Sequence, residues 1–232
     1  LQAGGMARGD GVVSSTCMWS WRLARVSGIR KTSSSFFPLT SRTSIVMGAP
    51  LVDRTDNRYT NSVIAIDSNT SVDALIAGKP VPRYDKHHLV PFGEFVPFGF
   101  RWFVDLMSIP LGDFGRGAAR QTPFSIRDQS IAPNICYEDI FGEELLAALR
   151  SEGPTQSGAS ILVNVSNLGW FGDSWALRQH WQMARMRAIE TSRPVLRATN
   201  TGITGAIGKA GESLGQLPAL VPGAIDLIVQ GQ

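Results

Sequence analysis

Along residues 45–232 apolar and polar positions follow two periods. Short apolar runs at Ile45–Pro50, Ser62–Asp67 and Ile161–Ser166 are closed by turn residues and predict strands. Thr55-Asp56-Asn57-Arg58 and Asp67-Ser68-Asn69 supply the turns after the first two. Val195–Thr199 and Thr204–Gly208 repeat the pattern, the latter joined to the next segment by Lys209-Ala210-Gly211-Glu212. Ile140–Arg150 has helical spacing instead, with Phe141, Leu145, Ala148 and Leu149 as its apolar stripe. Acidic residues before it, Arg150 in its last turn and Gly153 beyond are helix-end signals. Asp173 or Ser174 caps a second helix that runs to about Ser192, where Pro194 stops it. It buries Leu177, Trp181, Ala184 and Ala188 and leaves Arg178, Arg185 and Arg187 needing partners or water. Strands alternating with helices predict a layered α/β domain.

One junction in this pattern carries candidate chemistry. The run Ser130–Ile135 ends in Cys136, and Tyr137, Glu138 and Asp139 come next, before the helical period begins. A cysteine at a strand-to-helix elbow meets backbone N–H groups and the positive end of a helix dipole, which lower a thiol pKa. The ordinary alternative is a small buried hydrophobe.

Composition narrows the class. The 232 residues are 43% hydrophobic and 18% charged, globular values for one domain, or one domain plus a tail. Two cysteines, Cys17 and Cys136, suggest no disulfide framework, and three histidines lack metal-ligand spacing. The most apolar stretch, Leu214–Val229, is broken by Pro218, Pro222 and Asp226, so no membrane span is expected. Net charge is +3. Residues 1–44 hold six basic groups against Asp10, a net of +5, so the other 188 residues carry −2. The basicity belongs to the leader, and no nucleic-acid surface is expected. That leader is rich in Ser, Arg and Gly and lacks a sustained period. It reads as disorder, an interaction tail or a sequence not native to the domain at 45–232, although Trp19, Trp21, Phe36 and Phe37 sit oddly in a solvated tail.

Tyr84–Glu94 gathers Lys86, His87 and His88 at one end and Glu94 at the other, across a Pro-Gly kink. The densest aromatic patch comes after it: Phe92, Phe95, Phe98, Phe100, Trp102 and Phe103, interrupted by Pro91, Pro97 and Gly99. It reads as a loop folded into the core or as an apolar lip against a lipid surface. A third loop, Asn167–Gly172, presents Trp170 and Phe171 between glycines.

Several blocks together resemble the nitrilase, or carbon–nitrogen hydrolase, superfamily, and within it the apolipoprotein N-acyltransferase branch. They are Gly48-Ala49-Pro50, Arg58–Ser62, Tyr84–Glu94, Ile135–Glu138, Ser166–Gly172, Gln179–Arg187 and Ala198–Thr204. The Val90–Glu94 block and the Met183–Arg187 helix point to that branch. The resemblance implies an αββα sandwich with a Glu-Lys-Cys triad, in which Lys86 matches the lysine and Cys136 the nucleophile. Glu94 and Glu138 match supporting carboxylates. Tyr137, Asn167, Trp170 and Phe171 match lid or substrate positions. It implies no metal or cofactor. Its implied partners are a phospholipid acyl donor, an apolipoprotein acceptor and a membrane surface, on the periplasmic side of a bacterial inner membrane. The implied reaction is attack of the thiol on an acyl ester, then transfer of the acyl chain to the N-terminal amine of a lipid-modified apolipoprotein.

The pattern has departures. The first glutamate in the chain is Glu94, so the triad glutamate expected before Gly48 is missing. The domain reads as incomplete at its N-terminus and at its C-terminus, without the branch's membrane helices. Leu168 and Gly169 replace a more usual Asp-Ala before Trp170. The chain as given is therefore expected to be inactive or severely impaired. A shifted reading frame upstream would explain both the leader and the missing glutamate. Two other functions stay open: a soluble amidase of the same superfamily, against which the aromatic run counts, and a non-catalytic fragment.

Overall fold

The computed structural model describes residues 44–53, 58–71, 73, 75, 81–96, 98, 114–150 and 158–232. The leader up to residue 43, the turn at 54–57, Gly78, Gly153 and the lip residues Pro97, Gly99, Phe100, Trp102 and Phe103 lie outside them.

Two sheets form the frame. In the smaller, β1 (Ile45–Asp53) and β2 (Arg58–Ile66) pair antiparallel along their whole length, from Ile45 opposite Ile66 to Asp53 opposite Arg58. β3 (Arg83–Asp85) flanks β2 antiparallel, and β4 (Phe114–Gly115) pairs with β2 in parallel. The apolar run alone places the start of β2 at Ser62. The pairing extends it to Arg58 because the ladder bonds are backbone bonds, indifferent to the polar side chains at 58–61.

The larger sheet has the order β10-β9-β8-β7-β6-β5. Its strands are β5 (Phe124–Ile126), β6 (Gln129–Ile135), β7 (Ile161–Ser166), β8 (Val195–Thr199), β9 (Gly205–Ile207) and β10 (Ser213–Gln216). Only β6, β7 and β8 run parallel to one another. The chain between them supplies the helices, α1 (Gly142–Leu149) and α2 (Trp175–Thr191). Ser174 is the N-cap residue of α2, and Ser192, in the left-handed region at φ 51°, ends it.

Period-2 alternation on β7 explains the layering. Ile161, Val163 and Val165 face the smaller sheet and pack with Val63, Ala65, Ile131 and Ile135. Leu162 faces the other way and packs with Leu145, Trp181, Ala184 and Ala188 from the two helices. This sheet-on-sheet-on-helix stack is the expected α/β class. The residues between Cys136 and α1 differ from the sequence reading. A five-residue 3-10 helix, Cys136–Ile140, intervenes, and α1 starts only at Gly142. Among the described residues no helix is long and apolar enough to cross a membrane.

Candidate active site

Parallel strands deliver their carboxyl ends to one edge of the sheet, where open α/β folds place their sites. Cys136 follows β6, Asn167 follows β7 and Asn200 follows β8. Cys136 has φ 58°, a left-handed conformation unusual for a residue with a side chain. The strand therefore ends in a sharp turn at the thiol itself.

Lys86 comes from the smaller sheet, immediately after β3. It is 1% exposed, an unusual burial for lysine. Its Nζ donates to both oxygens of Glu94, at 2.9 and 2.8 Å. Its backbone is fixed on both sides: its N–H donates to the Asn61 carbonyl, and its carbonyl accepts from Gly117 N–H. A Cβ at Gly117 would collide with the backbone of Asp85, so this approach needs glycine. Glu94 also accepts from Asn61 Nδ2 at 2.9 Å and Val90 N–H at 2.8 Å. A carboxylate with so many donors is an anchor for Lys86 rather than a free base.

Glu138 is equally committed. Its Oε1 accepts the N–H groups of His87 and His88, and its Oε2 accepts from Tyr84 Oη and Ile135 N–H. It staples the lysine loop to the elbow. Burial is the main reason its pKa lies above the carboxylate value, opposed by these hydrogen bonds and by Lys86.

Tyr137 completes the clamp. Its Oη donates to the Leu89 carbonyl at 2.8 Å, and its ring meets His88 and Phe141 edge-on. Lys86 Nζ lies 5.3 Å from its ring centroid, within cation–π range. Burial first, and then the neighbouring carboxylates, push its phenol up to about 12.

The thiol behaves differently from the elbow argument. Burial raises the Cys136 pKa above its ordinary value, and the Lys86 ammonium pulls the other way without prevailing. The physical reason is local: five residues of 3-10 helix supply little dipole, whereas two sheets and a helix exclude water. Burial thus favours the neutral thiol at Cys136.

On the Asn167–Gly172 loop, Asn167 Oδ1 accepts from Gly169 N–H and Asn200 Nδ2. Trp170 is 82% exposed and Phe171 half as much. Of the described lip residues, Phe98 is fully exposed, Phe92 is 40% exposed and Phe95 is half-buried beside Arg116. His87 Nδ1 sits at the Gly117 carbonyl and His88 Nδ1 at Glu144 Oε1, both as pins of the lysine loop. The helix arginines have partners: Arg185 the Gly211 carbonyl, Arg187 Glu190 and the Ile140 carbonyl, Arg178 the face of Trp175.

Sequence reasoning passes over several contributors. Asp139 and Arg197 form a buried ion pair at 2.6 Å that ties the elbow to β8. An arginine amid the apolar run Val195–Ala198 is the one signal the chain offers for it. Asn61 and Tyr84 fall within the family-like blocks, but what they bind, like what Gly117 and Asn164 bind, has no local signal, since their partners lie tens of residues away.

Residues 30–220 match the profile of the carbon-nitrogen hydrolase family. An apolipoprotein N-acyltransferase of Bordetella bronchiseptica is 57% identical over 193 residues, 82% of this chain and 35% of that protein. One from Ralstonia nicotianae is 49% identical over 192 residues, 83% of this chain and 34% of its own length. The chain thus spans about a third of the length of these curated relatives. Among solved structures, a carbon-nitrogen hydrolase of Helicobacter pylori G27 matches with TM-score 0.57 at 15% identity, over 80% of this chain and 61% of that one. An amidase of a Nesterenkonia species matches with TM-score 0.56 at 18% identity, over 81% of this chain and 61% of that one. The two-sheet frame agrees with the solved structures, and the chain belongs to the carbon-nitrogen hydrolase family.

Proposed function

We propose that this chain is part of an acyltransferase of lipoprotein maturation, in which Cys136 carries the acyl group. The observation that carries the reading is its identity of 41–57% with apolipoprotein N-acyltransferases of several bacteria. On this reading each residue has its own task. Cys136 Sγ attacks the ester carbonyl of a phospholipid; the C–O bond breaks, leaving a thioester and a lysophospholipid that takes up the thiol proton. The N-terminal amine of a lipid-modified apolipoprotein then attacks the thioester, forming an amide and returning the thiol. Lys86 stabilises the thiolate and the developing oxyanion. Glu94 holds Lys86 in place, and Glu138 fixes the loop that carries it. Tyr137, Asn167, Trp170 and Phe171 line or cover the site, and the exposed aromatics Phe92, Phe98 and Trp170 face a membrane surface on the periplasmic side of the inner membrane. The domain of this enzyme runs over residues 45–232, with 1–44 set apart by composition.

No glutamate precedes Glu94, and Glu94 and Glu138 are each committed to several hydrogen bonds. The test therefore ionises the thiol with alkaline solvent. The test uses p-nitrophenyl acyl esters of short and long chain, carried in phospholipid vesicles, with the mass of the Cys136 peptide as readout. At alkaline pH, which favours the thiolate, Cys136 gains the acyl mass, faster with the long chain. The gain is absent in Cys136→Ala and reduced in Lys86→Met. Equal rates for both chains, with turnover of a small amide, would support a family amidase instead.

A further inference from the structure

The left-handed backbone at Cys136 is held by a side chain to which no role has been given. Asn164, in the middle of β7, is fully buried on the strand face that otherwise packs against the helices. Its Nδ2 donates to the Cys136 carbonyl at 2.8 Å and to Asn134 Oδ1 on the adjacent strand at 2.5 Å. Its Oδ1 accepts from Ser166 Oγ, two residues along the same strand. Both amide hydrogens and one oxygen lone pair are thus engaged, and all three residues are buried. The network permits one orientation of the amide. A flipped Asn164 would set its oxygen against two acceptors, Cys136 O and Asn134 Oδ1.

The contact meets a specific need. A residue with a Cβ adopts positive φ only when its surroundings impose it. Here the strand register aligns Asn134 with Asn164 and Ile135 with Val165, so the ladder ends just before the thiol. The next carbonyl, that of Cys136, has turned out of the ladder and is captured from the neighbouring strand by Asn164. We propose that Asn164 is a positioning residue for the nucleophile, its amide locking the elbow in the conformation that presents the Cys136 thiol beside Lys86, with Ser166 Oγ satisfying the amide oxygen and holding the side chain in place. The inference rests on the reading of Cys136 as the acyl-carrying nucleophile. A pair of buried asparagines satisfying each other would explain Asn134, but not the bond to the Cys136 carbonyl.

The experiment compares Asn164→Leu, Ser166→Ala and Asn134→Leu with the wild-type chain, all carrying Cys17→Ser. It measures the limiting rate and half-saturation of Cys136 acylation by the long-chain ester, and alkylation by iodoacetamide, both at the same alkaline pH, which favours the thiolate. Asn164→Leu is expected to lower the limiting acylation rate about tenfold or more at unchanged half-saturation, because misplacing a reacting atom costs chemistry rather than binding. Alkylation by the small, undirected reagent stays within about threefold, since it asks only for an ionised thiol. Ser166→Ala, which removes one hydroxyl, lowers acylation about three- to tenfold and carries the test if Asn164→Leu does not fold. Asn134→Leu leaves the bond to Cys136 and stays within about threefold. A wild-type chain that forms no thioester sinks the nucleophile reading and this inference with it. A wild-type thioester whose limiting rate is unchanged in Ser166→Ala and Asn164→Leu, or falls equally in Asn134→Leu, overturns this inference alone.

Discussion

Cys136 and His180 are titratable groups governed by the same cause, exclusion of water, and both respond by staying neutral. For Cys136 burial outweighs the pull of Lys86, so the folded chain holds a thiol at neutral pH. Alkylation of Cys136 should therefore climb only above the ordinary thiol value of 9.0. Lys86→Met should move that climb further to alkaline pH, because the lowering influence is gone; an unchanged profile would detach Lys86 from the thiol. His180 is packed against Phe171, and burial followed by the Arg197 charge lowers it to about 4 from 6.5. Between these values the unfolded chain binds a proton that the folded chain refuses. Stability then rises with pH across that window and is lost on acidification from 6.5 towards 4. The loss is on the order of 2 kcal/mol once partial screening is allowed for. Urea unfolding of wild type and His180→Leu from pH 4 to 7 isolates it: the variant should lose this acid-side slope while sharing whatever Glu138 and Asp139 contribute.

At the scale of elements, the elbow is a junction of β6, β7, β8 and α2. The Asp139–Arg197 pair ties the 3-10 helix to β8, and Arg197 also donates to the His180 carbonyl on α2. Asp139 Oδ1 and Arg197 Nε and Nη2 have no hydrogen-bond partner among the described residues, which leaves the pair incompletely compensated for its desolvation there. Removing one member strands a charge. Arg197→Met should cost about 3–5 kcal/mol in chemical unfolding, whereas Arg197→Met with Asp139→Leu should cost much less or nothing. Single and double variants of equal stability would show that the pair carries no such cost. A similar argument applies to the lysine loop, where Gly117 rather than a charge sets the approach. Gly117→Ala should force the Asp85 backbone away and reduce Cys136 acylation, with Asn61 and Glu94 left in place.

The whole molecule is stabilised from the middle of the larger sheet. β7 is buried along its entire length, between an inter-sheet core on one face and the helix core on the other. Hydrogen exchange followed by mass spectrometry should rank its amides slowest, with those of β6 and β8 next. Peptides from 217–228, which lie outside regular strands and expose Leu220, Val221 and Ile228, should exchange fastest. Fast exchange across β6–β8 would mean that the two sheets separate readily.

Local pattern carries much of this. Ile161–Ser166 and Val195–Thr199 are legible as strands because burial on both faces leaves a continuous apolar run. The α2 helix is legible because its period, its serine N-cap and Pro194 agree. The candidate residues Cys136, Lys86, Glu94 and Glu138 are also visible in the chain, through blocks whose order resembles a family. What they do to one another is not. Lys86 meets Glu94 across eight residues, Glu138 meets the lysine loop across about fifty, and Asn164 reaches the Cys136 carbonyl across twenty-eight. Such pairings depend on which strands lie side by side. The direction of the thiol pKa is likewise open in the sequence, where an elbow argues for lowering. Only the packed structure shows that desolvation prevails, because burial is a property of the surroundings and not of the residue. The order of residues alone is enough for the alternation of elements, the layered class and the identity of the nucleophile candidate. The ionisation of that nucleophile, its backbone strain and the amide that holds it come from packing, since each is set by atoms distant along the chain.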